Sequence, residues 1–540
     1  MQFVQRMADF IQGHEKIYCY GAGEYAAALV HFLAEQHRKP LGCIVSDGES
    51  AAASCEGVPI TALSDTELGA DVGIVLALAE KWHDVLAEAL QQKGICASQI
   101  YRLTEREVNI IRIWESIVLN QSGKQPTPDN AERYEEHYQK LMAKFARIEV
   151  HMVGSGAVGP ILHELFYYKR YGFQSADTYH LFAFFGWGVE PWANPFEKPN
   201  AFLYEVFHGE QFCAVNRENL DFWKYVFAHH MDNIDINGTW GYVDIMLDSI
   251  HKMHDGDFVE NGMTALDISR VEELGAQSLR DMGVRKEYVL LFVRDSVYYK
   301  KSRHDIQDTS LRIMDKYRNS DIASMKKTAD YLIEKGISAV RIGATPIPDK
   351  DMGNIIDYAG EFHTDAMDFY LAKHCKFYVG DHSGAMFFTV YWDRPMVMVN
   401  LPNITGYYDG TFPFDRRRDL GIYHKFWSKR ENRLLNLSEI LAIEDCSHEP
   451  PIYSGNINVM MKYHENDIVP IANTEDEILA VTQEMEERLQ GTAIYSEEDQ
   501  LLQEKFQAIL HTYLKVRPEV LFYDVRIGRD FLRQNLWLTR

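Results

Sequence analysis

The sequence predicts an α/β protein built on parallel, doubly wound sheets, and three observations predict it. Short apolar strands alternate with amphipathic helices across residues 16–104, again from 147, and most clearly across 286–400. Glycines stand where strands would turn into helices, as in GAGEYA (Gly21, Gly23) and GSGAVGP (Gly154, Gly156, Gly159). In the clearest stretch the polar residues that follow the strands, Asp295, Gly343, Asp381–Gly384 and Asn400, all fall on one sheet edge, the carboxyl ends. Open parallel sheets bind ligands on that edge.

Taken in order, KIYCYGAGE reads as a strand ending in glycines, AAALVHFLAEQ as a helix, and PLGCIVSD and VGIVLAL as further strands. HDVLAEALQQKG is a helix with Gly94 in the C-cap position, and QIYRL closes this first unit, 1–104. Residues 105–147 carry no strand signal and read as a helical linker. RIEVHMVGSG is then a strand running into glycines, followed by the helix AVGPILHELFYYKRYG. The aromatic-dense stretch 180–240 reads first as core, because exposed rings at such density would be costly in water. The third section runs KEYVLLFVRD (strand), MKKTADYLIEKG (helix), SAVRIGA (strand), DAMDFYLAKHC (helix), KFYVGDHSG (strand), AMFFTVYWD (helix) and RPMVMVN (strand). Two tail helices have readable starts, a capping box at Thr474 and Glu477 and a second start at Ser496 with Asp499.

Composition narrows the function classes. The 540 residues are 46% hydrophobic and 12% aromatic, which excludes global disorder. The net charge of −24 excludes a nucleic-acid partner held by overall charge. Eight of those negative charges lie in 475–505, which holds ten acids and two bases. No apolar run is long enough to span a membrane, and the first residues lack a secretory pattern, so a cytoplasmic protein is expected. Seven cysteines without C-x-x-C spacing read as reduced thiols rather than zinc ligands. Histidines show no H-E-x-x-H spacing, so no metal site is expected. The Asp255–Asp257 pair and Arg416–Arg418 read as polar loop and solvated basic run, and Asp365 with Asp368 as a solvated or capping helix face.

The chemistry concentrates on the third section. Arg294 and Asp295 directly follow an apolar strand, where an arginine can fork onto a diphosphate and stabilise its leaving charge. Arg318 and Asn319 precede a helix, Arg341 and Gly343 end the next strand, and His382, Ser383 and Gly384 open another helix. Exposed N–H groups at such a start suit a phosphate. Together they form an anion-binding edge in an acidic chain, which favours one specific anionic ligand. His163 or Glu164 could act as general base on the helix after GSGAVG. Gly21, Gly23 and Asp47 have the order of a nucleotide-binding turn with an acid for a ribose hydroxyl, or simply of a tight turn.

These motifs carry a resemblance. VRDSVYYK, YRNSDIASMKKTADYLIEKGISAVRIG, IIDYAGEFHTDAMDFYLAKHCKFYVGDHSG, RPMVMVN and DLGIYHKFWSKRENRLLNLSEIL occur in that order over 286–445. The set resembles a group of bacterial glycosyltransferases related to the O-fucosyltransferase-like GT-B enzymes. GSGAVGPILHELF and NAFLYEVF look like the first half of that family in looser form. The unit 1–104 lies outside the match and is similar to small Rossmann-like modules attached to sugar-processing enzymes. The resemblance implies a GT-B-like pair of facing Rossmann-type domains, 148–285 on the acceptor side and 286–473 on the donor side, with C-terminal helices in 474–540. It places Arg294 at the donor phosphates, helped by Ser383 and Gly384. Arg318, Asn319, Arg341 and Asp357 would line or support the pocket, and Lys425 would reach the donor. It implies transfer from a nucleotide-diphosphate sugar to a glycan, lipid-linked or protein acceptor, with no metal and no cofactor besides the donor. Peripheral membrane contact and homo-oligomerisation stay open. The rival readings are an NAD-dependent sugar oxidoreductase or epimerase using Gly21, Gly23 and Asp47, and a non-catalytic binding protein.

Overall fold

The computed structural model describes residues 2–35, 38–48, 53–114, 128–154, 158–171, 176–185, 200–216, 218–230, 233–237, 268–295, 309–343, 345–347, 351–404, 418–444, 457–513 and 525–540. Gly156, Asp255–Asp257, Arg416, Arg417 and the side chain of Glu164 therefore lie outside the described set.

The chain divides into two compact units, Met1–Gly156 with Phe173–Val243, and Ala157–Gly172 with Asp244–Arg540. The first unit carries two sheets. One contains β1 (Lys16–Tyr20), β2 (Gly42–Val45), β3 (Ser54–Cys55), β4 (Val58–Ala62), β5 (Val72–Leu76) and β6 (Ile100–Arg102), in the order β3-β4-β2-β1-β5-β6. All its pairings are parallel except β3 with β4. The expected strands and helices are present. The Gln2–Gln12 helix and the β3–β4 hairpin are additions that the strand–helix alternation did not announce. Val108 and Ile111 of the Glu105–Trp114 helix sit in one core with Leu29 and Leu33, so this part of 105–147 packs as body of the unit.

The second sheet of this unit orders β7 (Arg147–Gly154), β8 (Thr178–Phe185), β9 (Phe212–Ala214) and β10 (Ile234–Asn237) as β10-β7-β8-β9, all parallel. Phe182, Phe207, Phe212, Phe222 and Trp223 are buried, so the described part of the aromatic stretch is core, as expected.

In the second unit, β11 (Glu287–Phe292), β12 (Ile337–Arg341), β13 (Tyr378–Gly380), β14 (Met396–Leu401) and β15 (Leu420–Tyr423) form a parallel sheet. β16 (Lys425–Ser428), β17 (Arg433–Leu434) and β18 (Ile468–Ile471) make a small antiparallel sheet, and β19 (Arg526–Ile527) completes the larger one in the order β12-β11-β13-β14-β15-β19. The tail thus supplies a strand as well as its helices. β11 to β14 are buried along almost their whole length, which is why they read as continuous apolar runs. The Thr474–Glu477 capping box forms, and Ser496 and Asp499 cap the next helix reciprocally. Among the described residues no helix is long and apolar enough to cross a membrane.

Candidate functional site

The order β12-β11-β13-β14 makes the ends of β11, β13 and β14 neighbours, so residues distant in sequence meet there. Arg294 follows β11, Asp381 follows β13, and Asn400 lies near the end of β14. The backbone N–H of Arg294 donates to Oδ2 of Asp381 at 2.9 Å, and Nδ2 of Asn400 donates to Oδ1 at 2.9 Å. Ser320 Oγ donates to the same carboxylate. Burial pushes the Asp381 carboxyl up to about 6, against the opposing pull of those hydrogen bonds and of Arg294. Asn400 takes φ +51°, a left-handed conformation uncommon outside glycine, and is held there by paired backbone-to-side-chain bonds with Asn473 at 2.6 and 2.7 Å.

The Arg294 guanidinium stands beside this carboxylate, and the Arg318 guanidinium stands against the next residue, His382. Arg294 is buried and its Nη1 donates to Asp315 Oδ1 at 2.8 Å and to Asn319. Arg318, half-buried at the end of the Thr309–Arg318 helix, donates from Nη2 to the carbonyl of His382 at 3.2 Å. His382 is itself buried; that burial, with Arg318, His163 and Arg294 nearby, holds its imidazole well below its ordinary range, so the ring is neutral. The His163 ring lies 4.8 Å from Phe387, on the helix that follows His382. The structure therefore brings Arg294, Asn319, Arg318, His382 and His163 into one neighbourhood, and Asp295 follows Arg294 as a half-buried residue.

The other expected residues have different surroundings. Arg341 is buried against Asp357 and donates to the Thr345 carbonyl at 2.7 Å, while Asp357 also caps the turn at Gly360. This pair braces the loop after β12, beside Gly343 at φ +147°. Lys425 places Nζ 2.8 Å from both carboxylate oxygens of Glu477. Ser383 and Gly384 precede a short helix, Met386–Tyr391. A Cβ on Gly159 would meet the Gly384 Cα at 2.6 Å, so these two glycines let the Val158–Tyr171 and Met386–Tyr391 helices approach closely. Two expectations of solvated side chains are corrected. The Asp368 carboxylate, instead of facing solvent, accepts from Tyr358 Oη at 3.0 Å and lies 3.3 Å from His363 Nε2. Arg418 pairs through Nε with the buried Asp419 at 2.8 Å.

In the first unit Gly21 has φ +122°, and a Cβ there would meet the Ala77 carbonyl oxygen at 2.5 Å. A tight turn alone accounts for this glycine. Gly23 has open space around it. The Asp47 carboxylate accepts from the Ser64 N–H at 2.7 Å, which holds its pKa below the usual range.

Sequence reasoning did not single out Asp315, Ser320 or Asn473. The first two lie in the run DKYRNSD beside Arg318, a signal that was present; Asn473 reaches Asn400 only through the fold.

No family model matches the chain, and no curated protein matches it by sequence. Solved structures do overlap it. A family 9 glycosyl transferase from Veillonella parvula DSM 2008 is 10% identical over 59% of this chain and 97% of its own, with a TM-score of 0.31. The E. coli heptosyltransferase WaaC is 10% identical over 75% and 92%, with a TM-score of 0.18. The UDP-GlcNAc 2-epimerase from Neisseria meningitidis is 12% identical over 71% and 82%, with a TM-score of 0.17. At these scores the chemistry of this chain is carried by its own residues.

Proposed function

We propose that the second unit binds the diphosphate of a nucleotide sugar at the ends of β11 and β13, and that the protein is a GT-B-type glycosyltransferase. The observation that carries this reading is the meeting of Arg294 and Arg318 with His382 at adjacent carboxyl ends of a parallel sheet. Guanidinium groups held by fixed partners are oriented before a ligand arrives, so less reorganisation is needed when charge develops on a leaving diphosphate. His163 would accept the acceptor's proton, since its ring lies against Phe387 of the same segment. Ser383 and Gly384 would contribute N–H groups to the phosphates, and Asn319 would set the Arg294 fork. The acceptor belongs to the class of glycans, lipid-linked groups or proteins, and the site of action is the cytoplasm.

Donor binding in this reading uses arginines in place of a divalent ion. A thermal-shift panel of nucleoside diphosphates and nucleotide sugars tests it. At least one nucleotide should raise the melting temperature at millimolar concentration, with no further gain from magnesium. Failure of every nucleotide to bind would remove the reading.

A further inference from the structure

We infer that the first unit holds a zinc-class divalent metal ion between Glu149, His151 and His180. The inference does not rest on the transferase reading, because all three residues belong to the other compact unit. Alternation along β7 places Glu149 and His151 on one face, and the parallel register sets His180 of β8 directly beside Glu149 on that face. Arg147 Nε donates to Thr178 Oγ1 at 2.9 Å, and the His180 N–H donates to the Gln211 carbonyl at 2.8 Å, so neighbouring bonds fix this register.

The three side chains offer two imidazole nitrogens and a carboxylate oxygen, all within 4.8 Å of one another. His151 Nε2 lies 2.8 Å from His180 Nδ1, and His180 Nδ1 lies 3.6 Å from Glu149 Oε2. Ligands about 2.0–2.2 Å from a common tetrahedral ion are separated by roughly 3.3–3.5 Å. The carboxylate spacing already suits such an ion, and the imidazoles need to part by about half an ångström. Both histidines are 3% exposed, and the ring of His151 stacks on Phe182 at 4.7 Å, which restricts their orientation. Burial keeps both rings neutral, with His180 pushed down to about 3, the state in which imidazole coordinates. On binding, the ring that donates the mutual hydrogen bond shifts that proton to its outer nitrogen, so each ring then carries one outer proton and the pair exchanges the hydrogen bond for two metal bonds. The Glu149 side chain is 20% exposed and gives the ion a route in, with a fourth position for water.

The test uses the full chain, stripped by a chelator and titrated with Co(II) and then Zn(II). The expected result is uptake of one equivalent, with visible absorption of a four-coordinate nitrogen–oxygen cobalt site that zinc abolishes. His151→Ala, His180→Ala and Glu149→Gln should each weaken binding by more than about 10-fold, the loss that even outer-shell partners cause. His511→Ala, on an exposed position of the tail, should bind as the parent does. No stoichiometric uptake by the parent, or equal uptake by the folded Glu149→Gln and histidine variants, would overturn the inference. Should a histidine variant fail to fold, the parent's cobalt spectrum and Glu149→Gln still decide.

Discussion

The backbone N–H of Arg294 is tied to the side chain of Asp381 at 2.9 Å, which locks the end of β11 to the end of β13. The same carboxylate accepts from Asn400 and Ser320, so one buried group organises three segments. Its replacement by asparagine would put an NH2 where a donor already points. Asp381→Asn should therefore cost about 1–3 kcal/mol in denaturant unfolding.

The same group gives a pH dependence. Its folded pKa, about 6, lies above the ordinary carboxylate value of 3.8. Between those values the folded protein binds more protons than the unfolded chain, so this contribution to stability falls as pH rises through that window and is flat above it. The melting temperature of the parent relative to Asp381→Asn should drop from about pH 4 to about pH 6 and then level. A constant difference across that range would remove the argument.

Arg318 tests the proposed anion edge more cleanly than Arg294. Removing Arg294 would strand Asp315 beside a buried vacancy and threaten the fold. Arg318 is half-buried, and its described bonds go to His382 and Met314. Arg318→Ala should keep the far-ultraviolet circular dichroism and lower nucleoside-diphosphate affinity about 10-fold or more, the value of a charged hydrogen bond. Calorimetric titration reads both the affinity and its loss.

The alternation of strands and helices was legible because β11 to β14 are buried on both faces and carry unbroken apolar runs. β3 and β19 were not, since two-residue strands have no periodicity to read. The positions of Arg294 after a strand and of Arg318 beside a helix boundary were legible because each stands next to an element end. The pairing of Arg341 with Asp357 and of Lys425 with Glu477 could not be read, because ion-pair partners 16 and 52 residues apart are assigned by the fold. The Glu149–His151–His180 cluster escaped notice for a related reason: its spacing is set across two strands, whereas metal motifs legible in sequence lie within one local segment.

Gly159 makes the final prediction. Its Cα lies where the Val158–Tyr171 helix passes Gly384, and an added methyl group would meet the Gly384 Cα at 2.6 Å and the Phe387 ring at 3.1 Å. The first of these neighbours is backbone and cannot rotate away, so the helices must separate. Gly159→Ala gains helix propensity of about 1 kcal/mol, yet overpacking of this kind costs about 1–3 kcal/mol. The net should be destabilising, and because Ser383, Gly384 and His163 lie on the displaced segments, nucleotide affinity should fall with it. Gly94→Ala is the control: its added Cβ meets nothing, but φ +90° strains it, so it should lose stability without changing nucleotide affinity. Equal effects of the two variants on binding would separate the Gly159–Gly384 contact from the site.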